Sequence, residues 1–510
     1  MTKKKVIVIG AGIGGIATAT LLAHAGYSVS VYEKNVRPGG RADLLEAHGF
    51  RFDMGPSWYL MPEVFAHYYD LVGQDVNKEL DLVRLSPAYK VFFEGDKAPI
   101  TITSDPKKDK ETFEAIEAGA GDALERYVKR GDLIYRLSLK HFLYSNFTTL
   151  RDFLKRDVLK HAGSMLMLAL MPIDRYVSRF VSDIRLKQIL EYPMVFLGTS
   201  PFSAPALYSL MSALDFRQGV FYPQGGMYTI IESMMAISKK LGVTYHFNSP
   251  VDTIVTSRGH ATGIRLADKR TIDADIVVSN ADLHFTETRL LAPADRSYPA
   301  AYWDKQQAGP SALLMYLGIK GKLSNLEHHN LLFVDDWKEN FEAIYDTKTL
   351  PESASIYICK PSGIDPSVAP QSDENLFVLV PLPPGTSLTP AKLEEVSRQY
   401  LEQIAIMTKQ PDLTKRIIFK QLFGPDDFVT KFHSWQATAL GPSHVLRQSA
   451  MFRTPNKSKR LDNLYYVGGS TTPGIGLPMC LIGAELVYKR LAGDTRGGTV
   501  DHIERIGDKD

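Results

Sequence analysis

The sequence predicts an α/β fold centred on a parallel, nucleotide-binding sheet whose pieces lie far apart in the chain. Three observations carry this. A Gly-rich turn, Gly10-Ala11-Gly12-Ile13-Gly14-Gly15, joins a short apolar run to a helical pattern. Glu33 stands at the end of the next apolar run. A second strand-and-turn signal lies near the far end, where the apolar run 464–467 meets Gly468-Gly469.

Residues 6–9 are all apolar, as expected of a parallel strand covered on both faces. Gly10 permits the tight turn. Gly12 lets backbone N–H groups approach a pyrophosphate, and Gly15 lets the following helix pack closely. The helix is expected over 14–25, with Gly26 as its stop. Its N-terminus, with the backbone of Ala11, Ile13 and Gly14, would face the phosphates with the positive end of the helix dipole. A second strand is expected at 29–32. Glu33 follows Gly10 by 33 − 10 = 23 residues, close to the ~20 expected of a carboxylate that accepts ribose hydroxyls. Its charge argues against a 2′-phosphate there. FAD and NAD both fit to this point. Gly39-Gly40-Arg41 and then Gly55-Pro56 favour FAD, because glycines let backbone lie along an extended cofactor and Arg41 can pair with its diphosphate.

The pattern turns helical over 108–200. Short strands are then expected at 243–247, 251–255, 263–266 and 276–279. Runs at 313–318 and 376–380 read as a separate sheet. After 464–467 comes Pro473-Gly474-Ile475-Gly476-Leu477-Pro478-Met479, which opens a last helix over 479–491, with Pro478 near its start. That helix start, aimed at a flavin's electron-rich edge, would stabilise the reduced cofactor. The expected division is 1–107, 221–290 and 456–495 for the nucleotide domain, 108–220 for a helical membrane and substrate region, and 291–455 for a substrate domain. A polar, flexible tail is expected over 496–510.

Composition sets wider bounds. A chain of 510 residues points to two or three domains. The balance of 59 basic and 57 acidic residues, 59 − 57 = +2, gives no global attraction to nucleic acid. The two cysteines, Cys359 and Cys480, are too few for a disulfide framework and suit a reducing cytoplasm. The apolar run after Lys3-Lys4-Lys5 breaks at Gly10, so it reads as a strand and not a leader. No stretch reaches the roughly 18–20 apolar residues of a membrane-spanning helix.

These residues and several later stretches resemble the bacterial-type carotenoid (phytoene) desaturases, a family of FAD-dependent oxidoreductases within the flavin amine oxidase superfamily. The stretches are Gly198-Thr199-Ser200-Pro201-Phe202 with Tyr208, Phe221-Tyr222-Pro223-Gln224-Gly225-Gly226-Met227, Ser279-Asn280-Ala281-Asp282, His444 to Ala450, and Phe452-Arg453-Thr454-Pro455-Asn456. The resemblance spans nearly the whole chain. Gln224, where many relatives carry Arg, and Ser470-Thr471-Thr472 depart from the pattern. The resemblance implies a discontinuous Rossmann-type FAD-binding domain, an inserted mixed-sheet substrate domain and a helical membrane-facing region. It implies FAD as cofactor, a hydrophobic polyene as substrate, and an electron acceptor that is oxygen, a quinone or nicotinamide. It implies a cytoplasmic protein, peripheral on the cytoplasmic membrane face. The expected FAD contacts are Gly10, Ala11, Gly12, Ile13, Gly14, Gly15, Glu33, Lys34, Gly40, Arg41, Gly55, Pro56, Gly468, Gly469, Leu477, Pro478 and Met479, with Val251 beside the adenine by resemblance. A C30 carotenoid desaturase, an isomerase or saturase, an oxidase and a non-enzymatic lipid-binding flavoprotein are the alternatives.

Desaturation takes two hydrogens from an allylic CH₂–CH₂ unit, so catalysis rests on an apolar tunnel and on positioning. Arg151-Asp152, with Lys155 three residues on, is similar to an Arg-Asp pair with a basic residue nearby in that family, which makes Asp152 the candidate catalytic carboxylate; a surface ion pair is the plainer reading. His433 and His444 read as structural histidines near the pocket, and Cys480 as an inert thiol. No spacing suggests a metal site. Met165, Leu166, Met167, Leu168, Leu170 and Met171, flanked by Lys155, Arg156, Lys160, Arg175 and Arg179, read as an interfacial lip or a Met-rich core.

Overall fold

The computed structural model describes residues 3–95, 97–148 and 154–506. The parallel sheet has five strands, in the order Leu464–Tyr466, Ile276–Ser279, Lys5–Ile9, Ser28–Tyr32, Thr244–His246. The first strand is central because Val6, Ile7, Val8 and Ile9 are apolar on both faces and all are buried. Helix Ile13–His24 follows at once, and its side chains up to Leu22 are buried. Small residues let it sit between the sheet and helices Tyr228–Lys240 and Leu477–Ala492. Gly10, at φ 94°, makes the strand-to-helix turn that an L side chain would strain.

A second, seven-stranded sheet runs Ile417–Phe423, Ser311–Ile319, Glu374–Leu382, Ile356–Cys359, His329–Phe333, Tyr89–Phe93, Ile100–Ile102. Ser311–Ile319 is buried throughout. Two of these strands, Tyr89–Phe93 and Ile100–Ile102, fall in the stretch 1–107 expected to belong wholly to the nucleotide domain. Tyr89–Phe93 pairs in parallel with His329–Phe333, so the chain enters the second sheet before the helical region begins. Helices Pro106–Ile116, Ala120–Ser138, Arg156–Leu170, Ile184–Glu191 and Ser209–Arg217 follow along the chain. Among the described residues, no helix is long and apolar enough to cross a membrane.

Over 496–506, the described part of the segment expected to be loose over 496–510, the tail is held against the domain. Val500 and Ile506 are buried. The Val500 N–H donates to Glu485 at 2.7 Å, the Ile506 N–H to the Ala25 carbonyl at 2.9 Å, and Lys489 Nζ to the Gly498 carbonyl at 2.8 Å. Polar composition concealed this, because backbone bonds to buried acceptors need only two apolar anchors.

Glu191 is 1% exposed, and its Oε1 has no partner among the described residues. Burial and then the neighbouring Asp174 push its carboxyl up to about 8. Below the unfolded value near 4.5 both states are protonated. As pH rises from there to about 8 the unfolded chain ionises first, and the native state loses stability. Glu191→Gln is therefore expected to match the native chain at pH 4.5. It should be more stable by on the order of 3 kcal/mol at pH 8. Chemical denaturation at the two pH values reads this, and an equal difference at both rejects it.

Candidate active site

One cavity of about 730 Å³ runs from the fingerprint turn into the space between the second sheet and the helical region. At the nucleotide end it is lined by Gly10, Gly12, Ile13, Gly14, Glu33, Lys34, Gly40, Arg41, Gly55 and Pro56. Val251, Gly468, Gly469, Leu477, Pro478 and Met479 join them from distant segments. Ala11 and Gly15 sit behind this wall. The Ala11 N–H donates to Glu33 at 2.7 Å, which fixes the carboxylate at the strand end. A Cβ on Gly15 would lie 2.1 Å from the Gly10 carbonyl oxygen. Gly39 bonds the Ala11 carbonyl at 2.8 Å, so the Gly39-Gly40 turn lies against the fingerprint.

Two helix N-termini open on this cavity. Neither Ile13–His24 nor Leu477–Ala492 has a side-chain cap, so their first N–H groups and positive dipole ends remain for a ligand. Arg41 donates to Ser434 Oγ at 2.6 Å and lies over the Phe432 ring, but its buried Nε has no partner among the described residues. Asp282, half-buried nearby, offsets its charge. Lys34 bonds the Thr430 carbonyl at 2.9 Å. A long, anionic, dinucleotide-shaped cofactor fits these donors: glycine backbone and a helix start for its diphosphate, Glu33 for ribose hydroxyls, and the last helix for its ring system.

Asn280, of the stretch Ser279-Asn280-Ala281-Asp282, also belongs to the site. Its Nδ2 donates to the Val467 carbonyl at 3.0 Å, and its Oδ1 lies 2.7 Å from where a Gly12 Cβ would stand. It joins the first fingerprint to the last strand. Its signal was its place, directly after the buried strand Ile276–Ser279 at the sheet's carboxyl edge. Lys431, ion-paired to Asp43 at 2.6 Å, also lines the cavity, and nothing in the sequence marked it.

The C-terminal motifs hold the turn more than they touch a ligand. The Ile475 N–H donates to His444 Nε2 at 3.3 Å, and His444 Nδ1 lies 2.9 Å from the Tyr208 hydroxyl. Tyr208 in turn donates to Ser449 at 2.8 Å. With Nε2 accepting, Nδ1 carries the proton. Burial holds this imidazole well below its usual range, so it stays neutral. Gly474, at φ 148°, leaves room for that ring: a Cβ there would lie 2.3 Å from His444 Cε1. Arg453 is buried and, among the described residues, donates to carbonyls, those of Thr471 and Gln448 at 3.1 Å, Pro442 at 3.3 Å and Gly469. His433 lines the cavity stacked on Phe285 at 3.9 Å. Burial pushes the Cys480 thiol up to about 11, so it is not a thiolate near neutral pH. Asp152 and Arg151 lie outside the described residues.

Beyond the nucleotide end the lining changes character. Trp58, Tyr192, Phe196, Phe333, Trp337 and Phe341 form its aromatic walls, and Leu314, Leu331 and Leu379 its sheet floor. Among the described residues, the charged lining residues are Glu33, Lys34, Arg41, Asp282 and Lys431. All belong to the nucleotide end, to segments beside the fingerprint or bonded to them. Met165 and Ala169 of helix Arg156–Leu170 close one side.

This fold and cavity define a dinucleotide-dependent oxidoreductase with an apolar substrate chamber. The model of the flavin-containing amine oxidoreductases matches residues 13–486, and the chain belongs to that family. Its cofactor is FAD. The chain is 40% identical to a carotenoid 3,4-desaturase of Haloarcula japonica, covering 97% of this chain and 99% of that one. It is 35% identical to a zeta-carotene-forming phytoene desaturase of Myxococcus xanthus, over 96% and 94%. It is 30% identical to a 4,4'-diapolycopene oxygenase of a Methylomonas species, over 96% and 98%. Among solved structures, putrescine oxidase bound to putrescine aligns over 97% of this chain and 99% of that one, with TM-score 0.62 and 15% identity, a likeness of fold.

Proposed function

We propose that the chain is an FAD-dependent desaturase of a carotenoid precursor such as phytoene. The observation that carries this is the aromatic and aliphatic lining that the described residues give the chamber beyond the nucleotide end. A polyamine would need a carboxylate there to meet its ammonium groups, whereas a hydrocarbon needs only burial. Two of the three relatives described above are desaturases. Bound FAD supplies the two-electron acceptor for the hydrogens removed. Arg41, Glu33, the fingerprint glycines and the two helix starts hold it. The aromatic walls exclude water and align the chain of the substrate. Asp152 is our candidate for the proton acceptor. The test is co-expression with a phytoene-producing pathway in a colourless host, read by chromatography and absorption spectra. Longer-wavelength polyenes in place of phytoene support the reading, and unchanged phytoene with flavin bound rejects it. Asp152→Asn in the same assay is expected to slow conversion ~100-fold with flavin retained, and unchanged conversion removes Asp152 from the mechanism.

We also propose that helix Arg156–Leu170 is the membrane contact, at the cytoplasmic face. Met165 and Ala169 face the cavity, while Leu166 and Leu170 are 61% and 67% exposed on the other side. One helix thus joins the chamber to an apolar outer surface, with Arg175 and Arg179 exposed beside it. The purified protein is expected to cosediment with anionic vesicles. Arg175→Glu with Arg179→Glu should weaken this about 10-fold. Equal sedimentation of both proteins rejects the contact.

A further inference from the structure

Behind the aromatic wall lies a second cluster that the desaturase reading does not use. His328, His329 and Cys359 each present one ligand atom, and these atoms lie within 4.8 Å of one another. All three residues are buried. Strand pairing brings them together: His329 stands directly opposite Cys359 across antiparallel strands, and the His328 carbonyl accepts the Lys360 N–H at 2.7 Å.

The rings are arranged as metal ligands are. His329 Nδ1 lies 2.7 Å from the Tyr357 hydroxyl, which lies 2.7 Å from Ser57 Oγ. With Nδ1–H donating to Tyr357 and Tyr357 donating to Ser57, the Nε2 lone pair is left for a cation. Trp58 stacks on the ring at 4.1 Å and 7°, which fixes its plane. His329 Nε2 and both nitrogens of His328 have no hydrogen-bond partner among the described residues. Buried polar atoms without partners are rare because desolvation goes uncompensated. A separate feature adjoins the cluster on its Cys359 side. A space of about 10 Å³, roughly that of one water, is lined by Asp53, Ser57, Tyr222 and Cys359.

We propose that His328, His329 and Cys359 bind one Zn²⁺ ion, with a water in the adjoining space as fourth ligand. Two imidazoles, one thiolate and a water suit zinc, whose sites are tetrahedral and built from nitrogen and sulfur. Metal–ligand distances of about 2.0 Å to nitrogen and 2.3 Å to sulfur place ligand atoms roughly 3.5 Å apart. The cluster therefore closes by about 1 Å on the ion, a movement that His328 makes without breaking a side-chain hydrogen bond. Binding forms the zinc–sulfur bond as the Cys359 S–H proton leaves to solvent. The ion and its ligands then carry one positive charge, opposed by the half-buried Asp53 carboxylate, which lines the adjoining space. The ion ties strands His329–Phe333 and Ile356–Cys359 to the Ser57-Trp58 wall of the chamber.

The test uses the full-length flavoprotein, made without a metal-affinity tag in zinc-supplemented medium and passed over chelating resin. Elemental analysis is expected to find about one zinc per chain. Zinc-edge X-ray absorption should show one sulfur and a nitrogen/oxygen shell. Cys359→Ser combined with His328→Gln should lose the zinc while flavin absorbance remains. Wild-type protein without stoichiometric zinc overturns the proposal. So does zinc retained by the double variant with its flavin. If the variant does not fold, the wild-type absorption spectrum decides: a sulfur scatterer supports the site, and a shell of oxygen and nitrogen alone overturns it.

Discussion

Gly15→Ala is expected to yield a chain that purifies with less than about a tenth of its flavin. The added methyl would stand 2.1 Å from the Gly10 carbonyl oxygen and 3.0 Å from Asn280 Oδ1. The first neighbour is backbone, and it belongs to the turn whose φ of 94° only glycine adopts freely. The contact cannot be relieved by rotating a side chain. The helix must move off the sheet, or the turn must open. Either movement shifts the start of Ile13–His24 away from the cavity it faces. It also strains Asn280, which ties this turn to the Val467 carbonyl. Overpacking of this kind costs roughly 1–3 kcal/mol in stability. Flavin affinity should fall further, because it depends on helix position as well as on folding. Flavin absorbance per chain and a thermal melt measure the two effects. A variant with full flavin content and an unchanged melt would show that the turn tolerates the methyl.

That turn was legible because its information is local. Strand, glycine spacing, helix and Glu33 all lie within the first 33 residues, and backbone geometry dictates each. The C-terminal turn was legible by the same logic, through Gly468-Gly469 and the proline at the start of the last helix. The substrate half was not. Trp58, Phe196 and Phe333 come from a loop, a helical turn and a strand, and only tertiary packing brings them together. The strand His329–Phe333 begins with two polar residues, buried because the neighbouring strands cover them, and its pattern does not alternate. The His328, His329 and Cys359 cluster escaped for a related reason. Its members match no ligand spacing in the chain, and only the pairing of two strands sets them side by side. Motif residues of the C-terminal series also act differently from a ligand shell. Arg453 spends its donors on backbone carbonyls, and Asn456 Nδ2 donates to the Tyr466 carbonyl at 3.1 Å and the Thr472 carbonyl at 2.9 Å. Their position in the sequence marks the site, while their chemistry shapes the loop that frames it.

Phe196→Lys is expected to slow conversion of the polyene roughly 100-fold while leaving the flavin in place. Phe196 lines the chamber, half-buried, with Trp58 at 5.4 Å and Tyr192 at 5.6 Å between ring centroids. It lies in the short turn Tyr192–Leu197, outside the nucleotide segments, so its replacement leaves the fingerprint, Arg41 and the last helix untouched. A lysine stem fits where the ring stood, and its ammonium would keep water in the chamber. A hydrocarbon entering that space must strip the charge of its hydration and gains nothing polar in return. Loss of about 3 kcal/mol of transition-state stabilisation corresponds to roughly a 100-fold fall in kcat/KM. Phe196→Leu keeps the surface apolar and should retain most activity. The pair separates charge from volume. If lysine and leucine behave alike, shape and not polarity governs entry. If lysine is harmless, the polyene does not pass this wall, and the apolar chamber loses its place in the argument for a desaturase. Flavin absorbance in both variants keeps that conclusion apart from any failure to bind the cofactor.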